Sequence, residues 1–132
     1  MLRGRCACNA VAYEVSDELV AAFNCHCSNC RAATGSAFLP WGKIEREKLR
    51  VTKGAGSLSV IGDADAVHAM HCRACLSLLY WTVRDGAYVR IPYGSFIDEP
   101  TLKPTAHMFV GSKASWHEIL DDLPQHDQYP WS

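Results

Sequence analysis

The sequence predicts a mostly β domain built around metal, and three observations predict it. Short apolar runs rich in Val, Ile, Tyr and Trp recur between Gly, Pro and charged turns, at the spacing of an all-β domain. Helical periodicity is scarce. Seven cysteines fall in three tight groups, Cys6-Ala7-Cys8, Cys25-His26-Cys27-Ser28-Asn29-Cys30 and Cys72-Arg73-Ala74-Cys75, with none elsewhere. Clusters at one- and two-residue gaps are the pattern of metal ligands rather than of core packing or disulfides.

Residues 10–15 alternate apolar and polar directly after the first cysteine pair, with Cys8-Asn9 as a turn in which Asn tolerates left-handed backbone, so a hairpin is expected here. Further strands are expected at residues 19–24, 37–41, 49–52, 58–61, 67–72, 78–83, 88–91 and 107–110. Single helical turns are expected at 28–33, 45–48 and 116–120. The segment 124–132 is polar and Pro-containing and is expected to fray. No repeat, low-complexity stretch or linker marks a boundary, so residues 1–132 are read as one zinc-binding domain.

Composition narrows the function. With 132 residues and 48% hydrophobic content, the chain can bury about two thirds of its unfolded surface, so metal would supplement a core rather than replace one. Thirteen Lys plus Arg balance fourteen Asp plus Glu for a formal charge of −1, with no basic run, which argues against nucleic acid as a partner. No apolar stretch approaches the ~20 residues that cross a bilayer, and no lipidation signal is present, so no membrane partner is expected. Residues 1–25 lack an apolar leader region, which speaks against a secreted disulfide framework and for a reducing, cytoplasmic setting. A thioredoxin-like role for Cys72-Arg73-Ala74-Cys75 would need a βαβ context, and no amphipathic helix follows it.

The spacings have a physical reading. In extended chain, side chains two apart share a face, so Cys6 with Cys8, and Cys25 with Cys27, form two-pronged clamps. The Cys-x-x-Cys steps suit tight turns that bring two sulfurs onto one ion, with Zn–S near ~2.3 Å. Cys25, Cys27 and Cys30 can therefore face one metal. Joining the remaining clamps, Cys6/Cys8 and Cys72/Cys75, into a four-thiolate site is economical, but spacing alone does not prove it. A second zinc closed by a histidine remains the competing arrangement.

Gly4-Arg5-Cys6-Ala7-Cys8, the Cys25–Arg31 motif, Thr34-Gly35-Ser36-Ala37-Phe38 and Cys72-x-x-Cys75 together resemble the glutathione-dependent formaldehyde-activating enzyme family, whose domain is shared with centromere protein V. Leu102-Lys103-Pro104, His107, Ser112-Lys113-Ala114, Trp116 and Asp121-Asp122-Leu123-Pro124 resemble its closing segment. The resemblance implies a β-tent, Mss4-like fold with two zinc sites. It assigns Cys6, Cys8, Cys72 and Cys75 to a structural zinc and Cys25, Cys27 and Cys30 to a catalytic one. One departure stands out: the family pattern places glycine directly after the second Cys-x-x-Cys, where φ is positive, and here that residue is Leu76. The founding enzymes are also longer, and their tripeptide contacts do not map onto named residues here.

Zinc held by three thiolates carries a net −1 and is a poor Lewis acid, which disfavours hydrolysis. Soft ligands suit a soft substrate, so a thiol could take the fourth position and stay deprotonated at neutral pH. That chemistry fits a carbon–sulfur lyase joining a small thiol, such as glutathione, to an aldehyde. The alternative is a non-catalytic, zinc-stabilised binding or scaffold module. Arg31 and His107 are candidate substrate-binding residues. His26, by alternation, should point away from the metal and support it from behind. His68 and His71 should fall on opposite faces of their strand, and Trp41, Tyr80 and Trp81 are read as core rather than as a substrate cage.

Overall fold

The computed structural model describes residues 1–62, 68–83 and 86–131. Among these, β1 (Leu2–Arg5), β2 (Ala12–Val15) and β5 (Leu49–Lys53) form an antiparallel sheet in the order β1-β2-β5. The larger sheet contains β3 (Ala21–Cys25), β4 (Leu39–Glu45), β6 (Leu58–Gly62), β7 (His68–Cys72), β8 (Leu78–Val83), β9 (Tyr88–Pro92) and β10 (His107–Met108). Its order is β10-β3-β4-β9-β8-β7-β6, antiparallel except where β10 runs parallel to β3. The expected mostly β class is the observed one.

One helix, α1 (Ser28–Thr34), interrupts the strands. Cys27 caps it in extended backbone, its Sγ accepting the Cys30 N–H at 3.2 Å. Gly35, at φ 67°, closes it by donating its N–H to the Arg31 carbonyl at 2.8 Å, as a left-handed C-terminal glycine does.

Side chains from both sheets meet in one core containing Tyr13, Val15, Ile44, Leu79, Val89 and Ile91, all at most 1% exposed. Each such aliphatic burial stabilises the fold by roughly 1.5–3 kcal/mol. A second, smaller cluster joins Cys25, Leu39, Trp41 and Met108. Strand β4 serves both clusters by alternation: Ile44 enters the first, while Leu39 and Trp41 enter the second. On β8 the register slips opposite Met70/His71, pairing Tyr80 and Leu78 with consecutive residues of β7. The extra residue, Leu79, turns Leu78 and Trp81, three apart, toward the same cluster.

Several expectations need correction. The strand expected at 37–41 is displaced to Leu39–Glu45, and β1 was not anticipated at all. Residues 116–120 form no helix; Trp116 and Leu120 are 71% and 84% exposed, so no apolar face is buried there to hold one. The segment 124–131 does not fray. It lies along β10, where His107 donates its N–H to the Pro124 carbonyl, His126 to His107, and Phe109 to Gln128. The start of the strand expected at 67–72, Val67, lies outside the described residues. No helix among them is long and apolar enough to cross a membrane.

Candidate metal centres

Cys6, Cys8, Cys72 and Cys75 converge, with all four sulfurs within 4.8 Å of one another, in a group that could hold a metal ion. Two matching turns build it. In the first, the Asn9 N–H bonds the Cys6 carbonyl at 3.1 Å and the Cys6 N–H bonds the Val11 carbonyl at 3.0 Å, with Asn9 at φ 66°. In the second, the Leu76 N–H bonds the Cys72 carbonyl at 2.8 Å and the Cys72 N–H bonds the Ser77 carbonyl at 3.0 Å, with Leu76 at φ 65°. The Cys6/Cys8 clamp is thus made by a turn, not by the alternation of extended chain. Leu76 does adopt the left-handed backbone that favours glycine.

Ser77 ties the two turns together. Its hydroxyl accepts the Ala7 N–H at 3.0 Å and lies 3.1 Å from Cys75 Sγ. That hydroxyl, with backbone N–H groups behind it, pulls the Cys75 thiol down to about 5, toward the thiolate a metal requires. The Cys6–Cys8 and Cys8–Cys72 sulfur separations are 3.7 and 3.8 Å. Tetrahedral zinc with ~2.3 Å bonds places its sulfurs ~3.8 Å apart, so the donor set fits that ion.

The second group is Cys25, Cys27 and Cys30, also within 4.8 Å, and among the described residues it closes at three ligands. Cys25 ends β3, Cys27 caps α1 and Cys30 lies one turn into it, so alternation and the cap together aim three sulfurs at one point. Cys30 donates to Cys25 at 3.3 Å. This bond holds the Cys25 thiol down at about 6 and, with burial, pushes Cys30 up. A soft cation would replace the shared proton.

Behind this centre, His26 is fully buried and is not gathered with the three sulfurs, in keeping with the expected supporting role. Its Nε2 lies 2.8 Å from His107 Nδ1, and His107 Nε2 lies 2.9 and 3.0 Å from the two Asp121 carboxylate oxygens. With the carboxylate as acceptor, His107 donates from Nε2 and accepts at Nδ1, so His26 donates from Nε2. Burial, together with His107, pushes His26 down to about 4, and it is neutral at pH 7. Asp121 carried no signal in the sequence for this role.

In front of the three sulfurs opens a cavity of about 510 Å³, whose lining includes Asn29, Trp41, His68, Trp81, Arg90 and Tyr129. The Arg90 guanidinium sits 4.2 Å above the Trp41 ring, and its charge helps hold Cys25 ionised. Trp41 and Tyr80 are buried as expected, but Trp41 and Trp81 also wall the cavity. Arg31 and His107 do not line it. Arg31 donates from Nη2 to the Ser112 carbonyl at 3.0 Å, and His107 is 1% exposed between the buried His26 and the exposed Asp121. His68 and His71 belong to neither cysteine group; His68 Nε2 is 3.0 Å from the Thr82 hydroxyl.

A β-rich domain carrying a four-cysteine and a three-cysteine group, both able to hold metal, is the class defined by fold and site. Residues 1–112 match the sequence model of the family described as glutathione-dependent formaldehyde-activating enzyme, and the chain belongs to that family. The fold is also similar to the crystal structure of a Rhodobacter sphaeroides protein, with a TM-score of 0.60 at 24% identity, over 75% of this chain and 91% of that one.

Proposed function

We propose that the chain is a zinc-dependent enzyme that joins a small thiol, such as glutathione, to an aldehyde through a carbon–sulfur bond, and cleaves the same bond in reverse. The observation that carries this reading is the inequality of the two centres: four cysteines close one, while three cysteines border an open cavity at the other. Cys6, Cys8, Cys72 and Cys75 would hold the structural zinc, and Cys25, Cys27 and Cys30 the catalytic one. When bound there, zinc would supply a soft open position that favours a thiolate at neutral pH.

The chain's own residues supply the rest. The Cys30 bond and the Arg90 charge stabilise the Cys25 thiolate against protonation, and the Cys30 N–H holds Cys27 Sγ in position. The buried His26–His107 pair, anchored on the exposed Asp121 carboxylate, braces the backbone between Cys25 and Cys27. His107 is thus assigned to holding the site rather than to touching substrate, as is Arg31 through its bond to the Ser112 carbonyl. The aromatic and aliphatic wall positions the reacting pair beside the three sulfurs. In the step itself the sulfur lone pair forms the C–S bond, the carbonyl π pair moves to oxygen, and that oxygen takes the proton the thiol released. Of the polar side chains on the cavity lining, which also include Arg90 and Tyr129, we assign Asn29 and His68 to the developing hydroxyl.

A single domain in a reducing, cytoplasmic compartment suits seven free thiols. Exchange NMR of formaldehyde with glutathione tests the reading, with acceleration of adduct formation by the zinc-loaded protein as the expected outcome. No acceleration with that pair or with other small thiols and aldehydes would remove the enzymatic assignment and favour the zinc-stabilised scaffold.

A further inference from the structure

The cavity in front of the three cysteines is far larger than formaldehyde needs, and its walls are not those of a one-carbon site. Its rings form a continuous chain. Trp81 meets Trp41 edge-on at 6.3 Å, Trp41 meets Phe23 at 5.5 Å, and Phe23 meets Trp131 at 6.0 Å. Trp131 stacks on Tyr129 at 4.9 Å and 26°, and Tyr129 meets Phe109 edge-on at 4.8 Å. Trp41, Trp81, Phe109 and Tyr129 of this chain face the cavity, with Leu78 and Met108 between them. Tyr129 and Trp131 lie beyond residues 1–112, so the family match does not account for this part of the wall. The docking of segment 124–131 along β10 is what brings them there.

A second cavity, about 670 Å³, adjoins the first across Ala33, Leu39 and Leu78, and its character differs. Arg5, Thr34, Ser36 and Ser77 line it beside Phe38 and Phe96, so hydroxyls and a cation are mixed with apolar groups there. Two lobes therefore adjoin: one of mixed polar and apolar lining, with Arg5 at its edge, and one mainly aromatic, which holds the three sulfurs. A thiol with a charged peptide body matches the first lobe. The electrophile's own substituent is left for the second.

We infer that the electrophile joined at this centre carries a flat apolar group, such as an aromatic ring, held in the lobe walled by Trp81, Phe109 and Tyr129. The inference rests on the thiol–aldehyde reading above and adds the substrate class to it. Aromatic groups gain from such a wall by burial and by edge-to-face contacts, which a one-carbon aldehyde cannot make.

Two stable thioethers separate the possibilities by calorimetric titration of the zinc-loaded protein. S-benzylglutathione places a ring where the electrophile's substituent would lie, and S-methylglutathione places only a one-carbon equivalent. The benzyl compound is expected to bind about tenfold tighter or better. Tyr129→Ala and, independently, Trp81→Leu should each remove at least about threefold of that preference, weakening the benzyl compound more than the S-methyl one. Equal affinity of the two thioethers for the unaltered protein would overturn the inference, as would failure of both to bind. Neither result would remove the thiol–aldehyde reading if formaldehyde and glutathione are still joined faster. If a variant fails to fold, the comparison on the unaltered protein still decides.

Discussion

Replacing Leu76 by glycine is expected to stabilise the zinc-loaded protein. Leu76 holds φ 65° in the second cysteine turn, where its N–H bonds the Cys72 carbonyl at 2.8 Å. Left-handed backbone costs a residue with a Cβ about 1–2 kcal/mol. The side chain is 70% exposed, so its removal forfeits little burial. Glycine is freer in the unfolded chain, which takes back roughly 0.4–1 kcal/mol. The net gain is therefore about 0.5–1 kcal/mol, and for a chain of this size the melting temperature should rise by roughly 2–4 °C at fixed zinc excess. Leu76→Ala is the control, because alanine keeps the Cβ and hence the strain. Asn9 occupies the matching place in the first turn at φ 66°, and Asn9→Ala should lower the melting temperature. An unchanged or lower melting temperature for Leu76→Gly, or an equal rise for Leu76→Ala, would refute the strain argument.

Gly54→Ala should be strongly destabilising, by about 2 kcal/mol or more in urea titration, since φ is 72° and an added Cβ would meet the Ala10 carbonyl oxygen at 1.9 Å. His107→Ala should cost about 3 kcal/mol, because it opens a cavity and strips the buried His26 of its 2.8 Å partner; the shift in the urea midpoint measures it. Cys27→Ala should lower the zinc content by one ion while circular dichroism retains the β signal. Cys72→Ala should unfold the domain, as Cys72 is fully buried in the core shared by both sheets.

The sequence carried the site more fully than the fold around it. The three cysteine groups were legible because ligand spacing is local, and the strand 78–83 because its ends are set by turn residues on either side. What escaped was non-local. His26 and His107 are 81 residues apart, and nothing in either neighbourhood points to the other or to Asp121. Leu78 and Trp81 are three apart, a spacing that puts residues on opposite faces of a regular strand, and only the bulge at Leu79 brings them together. The tail read as polar and loose because its backbone bonds to β10 are invisible in side-chain pattern. Local alternation also misread Cys6-Ala7-Cys8, whose sulfurs are gathered by a turn that Asn9 allows.

The central claim is that the Cys25/Cys27/Cys30 centre is an open metal site that accepts a thiol. X-ray absorption at the zinc edge, without and with added glutathione, measures this directly. Averaged over both centres, the account predicts about 3.5 sulfurs per zinc in the free protein, rising to 4 with the thiol. A second zinc closed by a protein histidine, with a spectrum that glutathione leaves unchanged, would contradict it.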